Sequence, residues 1–563
     1  MKDRHIGASS SAGRVLEILR AVMVAAASIL LLVESWYGLR QALGWGVPRP
    51  GEFLLGGHFR NPGPLGGYLA VLLAITSSWF LLRLVPLILG RRERKGAPSK
   101  IDAAPNAGAS SKTRTPFDAI SPVNAGAPSD IEAPPSAAVP PSVTALPNTA
   151  APSSTAVPAQ SGAPVFERVL WLALLVLTGV ASLLGIVVVG ITLSRTAWAG
   201  LALAVAVFVY RERMVLGIRL PEGRKLVLYC CLAAVLLGVP LFLLKKESAI
   251  GRLLIWNIDT RVILHHPLKG VGKGRALGAY ALEQGAFFRE KERSEALKQA
   301  AGCPPYAFNE YLRVGMEHGI PAMLACIMLA LGVVLILLVN RSPFGYGALV
   351  YAIFAFGSYP LHYWQFRLLA LALVLAAAVS LTARHRWPLI LAACAAVLVF
   401  GGVTCLELRE EARREALESE WSFLHVERPK KALQGYERLY PDLRDNYRFL
   451  YEYGRALFRD GQYEKAVDVL REGSALSAAP MFHYTIGRSL EKLQRDDEAE
   501  KEYILVHEMI PGRLYGLVLL MELYHRQGRT REMRDVLEKI RQIPVNPDNK
   551  EMVNLRKRAE RRG

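Results

Sequence analysis

The chain has 563 residues, a hydrophobic fraction of 52% and a formal net charge of +19. Length alone would allow several soluble domains, but the apolar residues come in blocks of about 15 to 25, long enough to cross a bilayer as helices, which excludes an all-soluble chain. Six cysteines with no CxxC spacing exclude a disulfide framework.

The first apolar block, 14–36, follows Lys2, Arg4 and Arg14. ESWYG follows it rather than a small-residue cleavage site, so it reads as a retained anchor. GGHFRNPGPLGGYLA (56–70) then places His58, Arg60 and Asn61 at the mouth of a second span, 65–90. Residues 96–165 are rich in Ala, Pro and Ser. Such a stretch buries too little apolar surface to offset its chain entropy and reads as a disordered linker.

Spans at 168–191, 196–210 and 226–244 follow. Between the first two, TLSRTAWAGLAL holds Arg195, and a charge beside the bilayer marks either a functional site or a snorkelling anchor. A long loop runs from about 245 to 320. Its stretch GRLLIWNIDTRVILHHPLKGVGKGRALGAY carries Arg252, Arg261, Lys269, Lys273 and Arg275 against one acid, Asp259. Guanidinium forks suit phosphate oxygens, and the three glycines of HPLKGVGKG let backbone amides approach an anion. The stretch lacks the GK[ST] of a nucleotide P-loop.

CPPYAFNEYLRVGMEHGI (303–320) closes the loop. A helix from about 307 to 318 puts Asn309, Arg313 and Glu317 on one face with Glu310 beside it, and Gly319 and Pro321 end that helix and start the next. His318 suits a helix C-terminus, where a cation is favoured. Spans at 321–340, 346–360, 367–383 and 387–404 complete a set of about nine. Cys230, Cys231, Cys326 and Cys394 lie within spans and read as small buried hydrophobes, whereas Cys303 and Cys405 lie outward. RRERK (91–95), RER (211–213), Arg341 and ARHR (383–386) fall on one side, which the positive-inside rule makes the cytoplasm. The loop 245–320 and everything after 405 then lie outside.

Beyond 405 the chain is charged and repetitive. Gly454 and Ala466 recur as Gly487 and Ala499 after 33 residues, Ala432 precedes Ala466 by 34, and MELYHRQGRTREMRDVL is a weaker copy. The pattern over about 415–545 resembles the tetratricopeptide repeat, which presents a concave face to a partner. The expected architecture is all-α: a polytopic helical membrane protein followed by an α-solenoid of helix pairs. Its parts are 1–95 (first spans and loop), 96–165 (linker), 166–404 (membrane core) and 405–563 (repeat domain).

TLSRTAWAGLAL, then GRLLIWNIDTRVILHHPLKGVGKG, then FNEYLRVGMEHGIPAML resemble the conserved core of the O-antigen ligase and polymerase superfamily of bacterial membrane glycosyltransferases, and FRNPGPLGGYLA resembles that family's early loop. The resemblance implies transfer of a glycan from an undecaprenyl diphosphate carrier to an acceptor hydroxyl at the periplasmic face of the inner membrane. The acceptor would be lipid A-core, another glycan or a protein. The reaction would invert the anomeric carbon without cofactor, nucleotide or metal, and no nucleic-acid partner is implied. Arg195 matches the arginine of the family's SR motif and Arg252 the arginine that opens the large loop. Both are assigned to the diphosphate, with Arg60, Arg313 and Lys269 as further candidates. The family pattern ahead of the sixth span begins His-Asn, whereas this chain has Phe308-Asn309. Phenylalanine takes no proton. Glu310 is therefore the first candidate base, His266 the next, with Asn309 beside them. A catalytically degenerate scaffold presenting its repeats to a periplasmic protein is the alternative, as is a protein-directed oligosaccharyltransferase. A transporter fits poorly, because the polar groups gather at one face rather than at midplane.

Overall fold

The computed structural model describes residues 11–45, 55–59, 61–96, 165–213, 216, 246–382, 385–422, 424 and 429–562. Residues 97–164 of the expected linker 96–165, the span at 226–244, Cys230, Cys231 and Arg60 lie outside the described residues, while Gly96 and Val165 are helix ends. All regular structure among the described residues is helical.

Helices α1 (Ser11–Ala42), α2 (Pro62–Gly96), α3 (Val165–Thr192) and α4 (Arg195–Glu212) come first. The loop that follows folds into α5 (Lys246–His265), α6 (Ala276–Glu290) and the short α7 (Glu295–Ala300). Then come α8 (Glu310–Val339), α9 (Phe344–Gly357), α10 (Trp364–Leu381) and α11 (Arg386–Ser422). Six stretches among the described residues are long and apolar enough to cross a membrane: Ser11–Ala42, Pro62–Ile88, Glu167–Thr192, Glu310–Val339, Trp364–Leu381 and Trp387–Ser422. The largest apolar core joins α1 to α4 with α8 to α10, for example Leu31, Leu69, Val188, Ala197, Leu337, Phe354 and Phe366.

Three expectations change. The span placed at 346–360 is a helix of only 14 residues, about 21 Å against the roughly 30 Å of a bilayer core. It ends at Gly357, and a 3-10 turn over Pro360–His362 precedes α10. The last span does not stop near 404. Nothing in VTCLELREEARREALESEW breaks a helix, so α11 runs on for 37 residues, about 55 Å. Cys394 is exposed on α11 rather than buried, because little of that helix packs against protein. Cys303 and Cys405 are free and exposed. By contrast, the break at Gly319 and Pro321 appears as expected: α8 kinks at Gly319, whose φ is 85°.

The C-terminal part is α12 (Pro429–Leu443), α13 (Tyr447–Asp460), α14 (Tyr463–Ser474), α15 (Met481–Lys492), α16 (Asp496–Met509), α17 (Tyr515–Arg526), α18 (Thr530–Gln542) and α19 (Lys550–Glu560). The repeating small residues are where the helices of a pair touch. A Cβ on Gly454 would meet the Leu470 side chain at 2.5 Å, and one on Gly487 the Tyr503 ring at 2.5 Å. Ala466 and Ala499 are fully buried between the same helices.

This domain is packed onto the loop helices. Leu254, Ile258, Tyr280 and Phe287 of α5 and α6 share one apolar cluster with Ala478 and Met509. Gly278 lies so close that an added Cβ would meet the Ala475 carbonyl oxygen at 2.3 Å. Arg289 forks onto Glu508, with Nε 2.7 Å from one carboxylate oxygen. Beside that pair, burial first and Lys539 next push His507 down to about 4 from the ordinary 6.5. The unfolded chain takes up this proton near pH 6.5 and the folded one near 4, so stability holds above 6.5 and falls as the pH drops between these values. Melting of His507→Gln followed from pH 7 to 4 should show a weaker acid dependence than the parent; an equal slope would rule out this histidine as the source.

Candidate functional site

Four helix ends and one turn meet near the start of α5. Leu193 at φ 50° turns the chain sharply out of α3, and Arg195 opens α4 directly after it. The Arg195 guanidinium donates to Ser248 Oγ at 3.2 Å. One helix turn beyond Ser248, Arg252 donates to the Gly357 carbonyl at 3.1 Å, where α9 ends. Arg252 is half-buried and forms no ion pair among the described residues. Burial, and after it the charge of Arg195, lower the Arg252 pKa. The two cations therefore share one field.

The face of Arg252 rests over the Phe308 ring, 5.4 Å from its centroid. Phe308 stands at φ 52°, an unusual left-handed conformation for a bulky residue. Its ring meets Tyr359 edge-on at 5.4 Å and Tyr306 at 6.2 Å, while Tyr306 and Tyr359 stack at 3.8 Å. Asn61, at the start of α2, donates to the Tyr359 hydroxyl at 3.2 Å. His362 packs edge-on against Tyr306, with Nε2 3.4 Å from its hydroxyl. His362 keeps an exposed edge. The packing around its ring, then Arg367 and Arg313, hold its pKa below the ordinary 6.5, so the imidazole is neutral near pH 7.

The second group lies in the first turns of α8. Asn309 is buried and caps the helix, its side-chain oxygen accepting from the amides of Tyr311 and Leu312 at 3.0 and 3.1 Å. Glu310 is 2% exposed and both its oxygens are occupied: one accepts from Arg313 at 2.6 Å, the other from the Leu361 amide at 2.8 Å. Arg313 also donates to Glu317 at 2.9 Å. This trio, two buried carboxylates around a half-buried arginine, ties α8 to the turn that carries His362.

The remaining sequence candidates are placed elsewhere. His266 and Lys269 are exposed on the turn after α5. His58 pairs with Glu34 at 2.9 Å and stacks on Tyr37. Arg261 is paired with Glu283 at 2.5 Å and with Glu290, both on α6. Asp259 does not oppose the loop cations: it is fully buried with no hydrogen-bond partner among the described residues, and burial pushes its carboxyl far above the usual range. The glycines of HPLKGVGKG also have another use. The Val271 and Gly272 amides donate to the Met316 and Glu317 carbonyls at 2.8 and 3.1 Å, and the Gly274 amide donates to the Glu317 carboxylate at 3.0 Å. These amides face the α8 kink and not an open anion cradle.

Sequence reasoning missed Tyr306, Tyr359, Ser248 and His362. The available signal was SYPLHYWQF (358–366), a short run of aromatics and one histidine between two apolar stretches.

Fold and site together define a multi-pass helical membrane protein with two cations at one end and a helical-repeat domain seated on the adjoining loop. Residues 180–327 match the family described as O-antigen ligase, and residues 428–504 match the family described as anaphase-promoting complex, cyclosome, subunit 3. The chain thus carries an O-antigen ligase domain followed by a tetratricopeptide-like domain, and the first of these supports a glycosyltransferase-like function. No curated protein matches the chain.

Proposed function

We propose that the protein is a membrane glycosyltransferase. It moves a glycan from an undecaprenyl diphosphate carrier to an acceptor hydroxyl on the periplasmic face of a bacterial inner membrane. The observation that carries this is the pair Arg195 and Arg252 inside the O-antigen ligase match, with Arg252 half-buried and held by a carbonyl and an aromatic face rather than by a carboxylate.

In the reaction, the acceptor oxygen forms a bond to the anomeric carbon as the bond to the diphosphate breaks on the opposite side, with inversion. The diphosphate leaves with the bonding pair and gains negative charge. Two fixed guanidinium groups stabilise that developing charge more than the ground state. The proton of the acceptor hydroxyl needs a base. Glu310, first among the sequence candidates, is fully engaged with Arg313 and Leu361, and Asn309 caps its helix. We assign the base to His362, neutral and partly open beside Tyr306. The Phe308 ring then supports Arg252, and the histidine of the family pattern has its counterpart on another turn.

Purified protein in nanodiscs, given a carrier-diphosphate glycan and lipid A-core, a second glycan or an acceptor peptide, should release free carrier diphosphate with one of them. A scaffold releases none with any. The rate should fall on the acid side, below the ordinary histidine value of 6.5, as His362 gains its proton. His362→Gln should remove that acid limb and lower the rate roughly 10²- to 10⁴-fold. An unchanged pH profile would move the base elsewhere.

A further inference from the structure

The repeat domain holds a groove, a cavity of about 640 Å³. It runs along α13, where Tyr447, Tyr451, Arg455 and Arg459 follow at intervals of four residues and so share one face. Arg448 lies next to Tyr447, and Trp421, near the end of α11, forms the opposite wall. Arg455 is paired with Glu452 at 3.0 Å. Arg448 and Arg459 are exposed and form no ion pair among the described residues. The Trp421 indole N–H is buried and has no hydrogen-bond acceptor among the described residues. The groove thus combines two exposed cations outside the ion pairs with flat aromatic faces.

We propose that this groove is a saccharide subsite that binds an anionic glycan chain, the acceptor of the transfer reaction. Arginine forks match sugar carboxylates, and aromatic faces cover the apolar faces of sugar rings. An anionic peptide is the competing occupant, and the comparators below separate the two. The acceptor role rests on the glycosyltransferase reading above, whereas binding itself is measured without any transfer.

The test uses the full chain in nanodiscs with hexagalacturonate as probe, and maltohexaose and hexaglutamate as comparators, read by calorimetry. Hexagalacturonate should bind at least about tenfold tighter than either comparator, and Arg448→Ala with Arg459→Ala should weaken it by roughly tenfold or more. Both arginines are exposed, so the double variant should melt like the parent. Arg252→Ala should leave this binding intact. Equal binding of maltohexaose, tighter binding of hexaglutamate, or no effect of the double variant overturns the subsite. Transfer by a chain that binds no hexagalacturonate overturns the subsite alone. A chain that binds the probe as described but never releases carrier diphosphate retains the saccharide groove and loses the transferase reading.

Discussion

Arg252→Ala should lower glycan transfer by roughly 10²- to 10³-fold while the protein still inserts and melts close to the parent, the size expected for deleting one preorganised charge at a developing anion. The site gives a reason for the kinetic effect to dominate. Among the described residues Arg252 has no carboxylate to leave unpaired, and it contacts the Gly357 carbonyl and the Phe308 face. Arg252→Lys keeps the charge but loses the fork and the stacked plane, so it should recover only part of the rate. Arg195→Ala should behave alike, because both cations act on one field. Arg313→Ala should show the opposite signature. It strands two buried carboxylates, Glu310 and Glu317, at 2% and 6% exposure, a loss of about 3–5 kcal/mol for breaking a buried charge group. Transfer assays and thermal melting of the three alanine variants separate the cases. Parent-level transfer by both Arg195→Ala and Arg252→Ala would end the assignment of these two cations to the departing diphosphate.

What the sequence made legible follows from what is local. The 33-residue recurrence of Gly454 and Gly487 survives in the structure because each small residue serves the contact with the next helix in the chain. The kink at Gly319 is local too, being set by a glycine and a proline two residues apart. Arg195 and Arg252 stand out because charges beside apolar runs are costly. The misreadings concern distant partners. Nothing near HPLKGVGKG reveals that its amides are taken by residues 316 and 317. Phe308 looked like a lost histidine, but its ring supports an arginine 56 positions earlier and meets a tyrosine 51 positions later. Hydropathy likewise cannot separate a 14-residue helix that stops at Gly357 from a full span, since the turn after it is rich in aromatic residues.

Gly319→Ala and Gly270→Ala should each destabilise the protein by several kcal/mol, among the largest single effects in the chain. Gly319 has φ 85°, and a Cβ there would meet the Leu268 carbonyl carbon and oxygen at 2.4 Å. Gly270 has φ 65°, and its Cβ would meet the Glu317 carbonyl carbon and the His318 nitrogen at 2.4 Å. Both clashes are backbone against backbone, so no rotamer relieves them, and the left-handed conformation adds about 1–2 kcal/mol. The contact they allow is a clamp: Ile320 donates to the Pro267 carbonyl at 2.7 Å and Val271 to Met316 at 2.8 Å. That clamp fixes the end of α5 against α8, and with it the register of Arg252 over Phe308. A variant that still folds should therefore also lose transfer rate. The two substitutions open the same gap, so the double variant should cost less than the sum of the singles. Gly332→Ala is the control. It lies on the same helix with nothing within 4 Å of its Cβ, so the better helix propensity of alanine should leave stability unchanged or raise it by up to about 1 kcal/mol. Melting temperatures of the four variants, with transfer rates beside them, test the clamp; a Gly319→Ala protein as stable and active as Gly332→Ala would show that the α5–α8 contact does not hold the site.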